Sequence, residues 1–301
     1  MKCTFLSMIS IFWTTSILLS GCASITMIAI GGSGWDKIGI VDKKTEKLIW
    51  THNLEKSNEC NSIYVDRNKN ILYSYKQGAR LISLGGTVVW DYKTASGTEV
   101  QYASPSSKGG YYLGICGNPA KIVELAPNGK PIHEIAFTIE AQNVHMQFRQ
   151  ICEAGDGGYF VPGLNSRELI KVEQDGSISQ RIPLDSGITP FSVKVLTSGN
   201  FLISGGNGHC FEEITPDGKL VGKTGQNAIE GLTLAYVAQI NIDDKGNKLI
   251  CNWLGHGAKS DGFHLIETDK NNHVIWTLGE TEGIVKVSTA SQFKAEKRQV
   301  W

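Results

Sequence analysis

The residues with the most chemical reach sit in short segments that share one local pattern. Residues 144–150, VHMQFRQ, carry His145, Gln147 and Arg149 at alternate positions, so an extended chain would aim all three to one side. The same alternation pairs Glu59 with Asn61 and Glu99 with Gln101, and it leaves Ser192, Gln239 and Lys286 at matching places further on. A histidine among carboxylates and an arginine can relay a proton or hold an anion. A second group, Asn252, Trp253 and His256 in CNWLGHG, offers an indole face beside an amide and an imidazole. Such a surface suits a sugar or an aromatic ligand. A third group lies in glycine-containing segments, KQGAR, CGNPAK, GLNSRE, GGNGH, LGHGAKSDG and GGSGWDK. These carry Lys76, Arg80, Lys121, Arg167, His209, His256, Lys259 and Lys37. Glycine permits the positive φ of a tight turn and lets a ligand approach the backbone. Together they predict a mixed, largely cationic rim.

Other chemistries find no support. There is no G-x-S-x-G, no H-E-x-x-H and no Cys/His spacing for zinc, so neither a metal site nor a cofactor is expected. After Cys22 come Cys60, Cys116, Cys152, Cys210 and Cys251, an odd number set in apolar strand patterns, which reads as small buried hydrophobes without a disulfide. Lys+Arg and Asp+Glu both total 29, and no basic cluster stands out, so nucleic acid is not an expected partner. His52, His133, His264 and His273 fall in or beside strands and turns and read as structural.

The elements that must position these groups repeat along the chain. Six segments read as strand, tight turn, strand: IGIVDKKTEKLIW, LISLGGTVVW, IVELAPNGKPIHEI, LIKVEQDGSISQRI, FEEITPDGKLVGKT and LIETDKNNHVIW. Their turns are centred on Glu46, Gly86, Gly129, Gly176, Gly218 and Asn272, at intervals of 40 to 54 residues. A second hairpin lies between consecutive members, so each period holds four strands. That is the pattern of a β-propeller. The expected fold is all-β, a six-bladed β-propeller with four antiparallel strands per blade. Only one strand, ITMIAIGG, precedes the first hairpin, and GIVKVSTASQF follows the last. The ring is therefore expected to close with a C-terminal inner strand in the N-terminal blade. Loops leading into inner strands and loops joining second to third strands share one face, where a ligand site is predicted from Glu59, Asn61, Glu99, Gln101, Lys121, His145, Gln147, Arg149, Arg167, His209, Asn252, Trp253 and His256. The opposite face, with turns such as DRNKN, APNG, EQDG and TPDG, is expected to be short, charged and ligand-free.

The first residues read as an address. Lys2 precedes an apolar run from Phe5 to Leu19, which ends in Leu19-Ser20-Gly21-Cys22. This resembles the lipobox of bacterial lipoproteins and implies cleavage before Cys22 and acylation of its thiol. Residues 1–21 are then a lipoprotein signal peptide and 22–301 a single propeller domain.

Two family resemblances follow. GGSGWDKIGIVDKKTEKLIW, with Trp50, Trp90 and Trp276 at related positions, looks like the repeat of quinoprotein (PQQ-like) propellers. The chain lacks adjacent cysteines and has too few repeats, so PQQ and calcium are not implied. The segments ECNS, VHMQFRQI, GNGHCFEE and ICNWLGHG resemble six-bladed propeller lipoproteins of Bacteroidetes, labelled surface-layer-like. The resemblance implies an outer-membrane lipoprotein facing the periplasm or the cell surface, attached through its lipid alone. The expected role is that of a monomeric, non-catalytic module binding a small ligand, a glycan, a peptide or a partner protein. The alternative is an enzyme using channel-mouth histidines and Arg149. It is similar in repeat form to arylsulfotransferases, or acts as a hydrolase.

Overall fold

Among the described residues, β-branched and aromatic alternation broken by turn formers produces 24 strands in six four-stranded antiparallel sheets. The computed structural model describes residues 24–55, 58–257 and 261–296. Blades two to six each consist of four consecutive strands, ordered from the axis outward. Their inner strands are β4 (Ser62–Val65), β8 (Glu99–Pro105), β12 (Cys152–Glu153), β16 (Ser192–Val195) and β20 (Tyr236–Ile242). Blade one is composite. Its order is β24 (Thr289–Glu296), β1 (Ser24–Gly31), β2 (Lys37–Asp42) and β3 (Lys47–Asn53), with Ser24 opposite Glu296 and Gly31 opposite Thr289. The C-terminal strand thus closes the ring from inside, as the repeat pattern predicts.

The six residues on which the repeat is centred have a common conformation. Glu46, Gly86, Gly129, Gly176, Gly218 and Asn272 all adopt positive φ, between 58° and 84°. Each ends the turn between the third and fourth strands of its blade, and each of these hairpins shifts register just before the turn, between the last two pairs in blades two to six and one pair earlier in blade one. This is a tight turn with a bulge, whose left-handed residue suits glycine or asparagine. Gly129 is held to glycine twice over: a Cβ there would stand 2.6 Å from the Trp90 ring, which is buried and tilted against Tyr111.

Apolar residues fill the spaces between blades. Among the described residues the buried side chains form six clusters, each spanning two neighbouring blades. Ile40 of blade one meets Tyr73 of blade two in one, and Cys251 of blade six meets Ile28 of blade one in another. All five described cysteines are buried and free.

Near the axis the chemistry turns polar. An inner strand is an edge strand, and its unpaired backbone groups need partners. Neighbouring blades supply them from side chains. Thr289 Oγ1 accepts from the Ile63 amide at 3.0 Å and donates to Gln239 Oε1 at 3.0 Å. Ser291 Oγ accepts from the Val65 amide at 3.1 Å, and Gln239 Oε1 accepts from the Ala290 amide at 2.7 Å. Ser62 Oγ accepts from the Ala103 amide at 2.8 Å, while Ser192 Oγ donates to the Ala238 carbonyl at 3.2 Å.

Thr289, fully buried, therefore joins three blades. Thr289→Val keeps its shape but leaves the Ile63 amide and Gln239 without this partner, and should lower stability by about 1–3 kcal/mol. Thr289→Ser should cost less. Urea unfolding checks this, and equal losses for the two variants would show that the cross-blade bonds contribute nothing.

Candidate functional site

Strand direction alternates outward from the axis, so the approach to each inner strand and the loop after each second strand meet on one face. There a cavity of about 110 Å³ opens over the channel, and every blade contributes to its wall. Ser33 and Ser288 come from blade one, Glu59, Cys60 and Asn61 from blade two and Gln101 from blade three. His145 and Arg149 come from blade four, Phe191 from blade five, and Tyr236, Trp253 and His256 from blade six.

Blade four departs from the expected alternation. His145 lies on a one-turn 3₁₀ helix, Val144–Met146, capped by Asn143, whose Oδ1 accepts from the Met146 amide at 3.2 Å. Beyond it the inner strand survives only as bridges at Phe148 and Gln150 and as β12. This turn lifts His145 into a half-exposed position at the mouth. There His145 Nδ1 lies 2.7 Å from Glu99 Oε2, and Arg149 Nη2 lies 2.9 Å from His145 Nε2. A guanidinium can only donate, so Nε2 must accept and Nδ1–H must donate to Glu99. The partners thus assign a neutral imidazole with its proton on Nδ1. Arg149 Nη1 also donates to the carbonyls of His145 and Phe148. Burial pushes the Arg149 guanidinium below its ordinary value, against the pull of Cys116, Tyr236, Glu99 and Glu59. Burial alone would raise the Glu99 carboxyl. Its hydrogen bonds with His145 and Lys76, together with the charge of Lys76, outweigh that and hold it below the usual glutamate range. Lys76 Nζ stands 3.2 Å from Glu99 Oε1.

Blades five and six form an aromatic wall. Tyr236 meets Phe191 edge-on at 5.7 Å and Trp253 at 5.3 Å, and His256 stands across Trp253 at 4.7 Å. Trp253 Nε1 donates to the Ser33 carbonyl at 2.9 Å, which locks the indole against blade one. Burial raises the Tyr236 phenol to about 12, so it stays protonated. Burial likewise pushes the Cys60 thiol up, which removes it as a nucleophile.

Of the thirteen predicted ligand residues, seven line this cavity: Glu59, Asn61, Gln101, His145, Arg149, Trp253 and His256. Glu99 stands behind them and orients His145. Five are placed elsewhere. Lys121 is paired with Glu134 of the outer strand at 2.7 Å. Gln147 is buried and clamps the Gly117 backbone, accepting from its amide at 2.8 Å and donating to its carbonyl at 2.9 Å. Arg167 is the exposed, positive-φ residue of a turn. His209 bonds the Ala235 carbonyl through Nδ1. Asn252 is buried, accepting from the Ala235 amide at 2.6 Å and donating to the Phe263 carbonyl at 3.1 Å. Lys259 lies outside the described residues, as does Cys22. Sequence reasoning passed over Phe191 and Tyr236. Their signal is positional, since they approach inner strands as Asn61 and Arg149 do. No group of three or more His, Cys, Asp or Glu among the described residues could hold a metal ion. The opposite face is not merely short turns: a cavity of about 750 Å³ opens there between blades five, six and one.

Comparison with known proteins agrees with the ring. The description "Mal s 1 allergenic protein-like" matches residues 34–273. The chain belongs to this family. A protein of unknown function from Bacteroides caccae is 32% identical, with a TM-score of 0.84 over 90% of this chain and 99% of its own. More distant solved structures share the fold alone with this family member. A virginiamycin B lyase from Staphylococcus aureus is 13% identical, with a TM-score of 0.53 over 83% of this chain and 72% of its own. The WD40 propeller of Doa1 is 14% identical, with a TM-score of 0.58 over 82% of this chain and 76% of its own. No curated protein matches the chain.

Two measurements test the site geometry. Nitrogen-15 NMR at neutral pH should find His145 protonated on Nδ1 and bare on Nε2; the reverse pattern would refute the assignment. Because Glu99 is held below the ordinary value of 4.5, its stabilising contribution is present above that pH and fades as the pH falls through its lower folded value. Glu99→Gln should flatten the acid limb of a stability-against-pH curve, and an unchanged limb would count against the pairing.

Proposed function

We propose that this propeller is a non-catalytic, lipid-anchored module outside the cytoplasm that binds a small ligand at the channel mouth. The observation that carries the reading is the cavity itself, where all six blades place side chains around one opening. A rigid scaffold surrounding a concave site with few convergent polar groups is the usual build of a ligand pocket. The aromatic wall and the Arg149 guanidinium give it an apolar side and a charged side. The lipobox at Cys22 supports anchoring. β1 begins at Ser24, on the face opposite the cavity, so an anchor there would leave the site directed away from the membrane. The relative from Bacteroides caccae agrees with the Bacteroidetes resemblance. Outer-membrane placement, facing the periplasm or the surface, belongs to the same proposal.

A second reading, an enzyme working through histidine, is favoured by His145 and His256 sharing the cavity and by the Glu99–His145 pair. It requires His145 Nε2 to leave Arg149 before it can attack or accept a proton. The binding reading needs no such rearrangement.

Thermal-shift screening of the protein against glycan fragments, short peptides, amino acids and sulfate esters tests the proposal. At least one probe should raise the melting temperature, and Trp253→Ala should abolish that shift. No shift from any probe, or shifts that ignore Trp253→Ala, would overturn binding at this site; turnover of a sulfate ester would favour the enzyme. Separately, radiolabelled fatty acid should appear on the wild type and not on Cys22→Ala. Unlabelled wild-type protein would remove the lipid anchor from the proposal.

A further inference from the structure

We infer that the channel mouth takes a small zwitterion with an apolar side chain, an α-amino acid such as phenylalanine or leucine. This rests on the ligand-binding reading above and names the ligand class of that same cavity.

The inference starts from hydrogen bonds left unmade. A guanidinium has five N–H donors in a rigid fork. Three of those on Arg149 are spent, two from Nη1 on carbonyls and one from Nη2 on the His145 ring. Both terminal nitrogens are engaged with His145, so that edge of the fork is closed. The Nε–H and the remaining Nη2–H have no acceptor among the described residues, and they form the parallel edge that matches a carboxylate. No carboxylate among the described residues fills it: Glu99 is occupied by His145, Lys76 and Gln101. Arg149 makes no ion pair among the described residues.

The cavity also carries the opposite charge. Glu59 is fixed by one oxygen, Oε2, which accepts from Ser33 Oγ at 2.9 Å and the Gly34 amide at 2.8 Å. Its other oxygen has no described donor. Glu59 and Arg149 lie close enough for the charge of Glu59 to act on the guanidinium. His145 is neutral by its hydrogen-bond partners. Among the residues that line the cavity, Arg149 is a cation without an anionic partner and Glu59 an anion answered on one oxygen; Lys286 stands outside that lining, its Nζ 5.9 Å from the Trp253 ring. A simple anion would meet Glu59, and a simple cation would meet Arg149. A molecule carrying both charges satisfies both.

Size and the third wall complete the description. The cavity is small, about 110 Å³, and open at its mouth, so it suits a small molecule whose side chain reaches the aromatic wall rather than a polymer. Phe191, Tyr236 and Trp253 offer an apolar surface for that group. The carboxylate would sit on the open edge of Arg149, the ammonium on Glu59, and the side chain against the aromatic wall.

The test uses isothermal titration of the full-length protein with L-phenylalanine, N-acetyl-L-phenylalanine and L-phenylalaninamide. The free amino acid should bind at least tenfold more tightly than either blocked form. Glu59→Gln, which keeps the size of the side chain, should weaken L-phenylalanine at least tenfold and erase its advantage over the N-acetyl form. Arg149→Met should erase its advantage over the amide; Glu59→Gln carries the test alone if that variant does not fold. Equal binding of the free and blocked forms would overturn the inference. So would Trp253-dependent binding of a neutral glycan with no response to amino acids, an outcome that leaves the ligand-binding reading standing. If no probe responds to Trp253→Ala, both fall together.

Discussion

The inner strand of each blade is a sheet edge facing its neighbours, and the whole ring depends on how that edge is satisfied. A blade has no further strand to place inside it, so its innermost amides and carbonyls must bond to something other than a ladder partner. Here the answer is a belt of hydroxyls and amides. Thr289, Ser291, Ser62, Ser192 and Gln239 each bond backbone on the next blade. The belt fixes the angular setting of one blade against another, and the apolar clusters between blades then pack in that setting. The ligand cavity inherits its precision from this belt. Asn61, Phe191 and Ser288 each directly precede a belt residue, Ser62, Ser192 and Thr289.

At the mouth, the same economy produces two unlike walls. Blades two to four contribute charge, and blades five and six contribute aromatic rings. The charged wall is largely self-compensated. Lys76, Glu99, His145 and Arg149 run as a chain in which each group orients the next. Such a chain holds a guanidinium in place without closing its last edge, an arrangement suited to recognising a ligand. The aromatic wall is held as firmly, because the Trp253 indole is tied to the Ser33 carbonyl and Tyr236 is packed on two sides.

Much of the fold was legible because its repeat is written in backbone conformation. The six turn residues had to be glycine, asparagine or another residue able to take positive φ, and that demand shows in the sequence at regular intervals. Closure by the last strand was legible for the opposite reason, a half-blade left over at each end. The site was legible in part. His145 and Arg149 were found through an alternation that the backbone does not keep, since a 3₁₀ turn replaces the strand there. Lys121 misled because its charge is spent across the sheet: its pairing with Ala136 brings Glu134 within reach, and no one-dimensional reading fixes that register. Gln147 and Asn252 misled because a buried amide bonding backbone looks, in sequence, like a polar group awaiting a ligand. Tyr236 and Phe191 went unseen because aromatic residues beside strands are ordinary core.

The pairing of β24 with β1 bears on how the molecule comes into being. Ser24 lies opposite Glu296, so the first and last described strands are neighbours, and the contact that completes the ring spans nearly the whole described chain. Contacts of such separation cost loop-closure entropy before they return anything, and they slow folding. A chain emerging from synthesis or from a translocation pore can pair hairpins within its central blades at once. Blade one, however, keeps β1 as a bare edge until the final segment arrives. The assembly is therefore gated by its own tail. Up to that moment it is an open arc, and the channel mouth, which draws on both ends of the chain, does not yet exist.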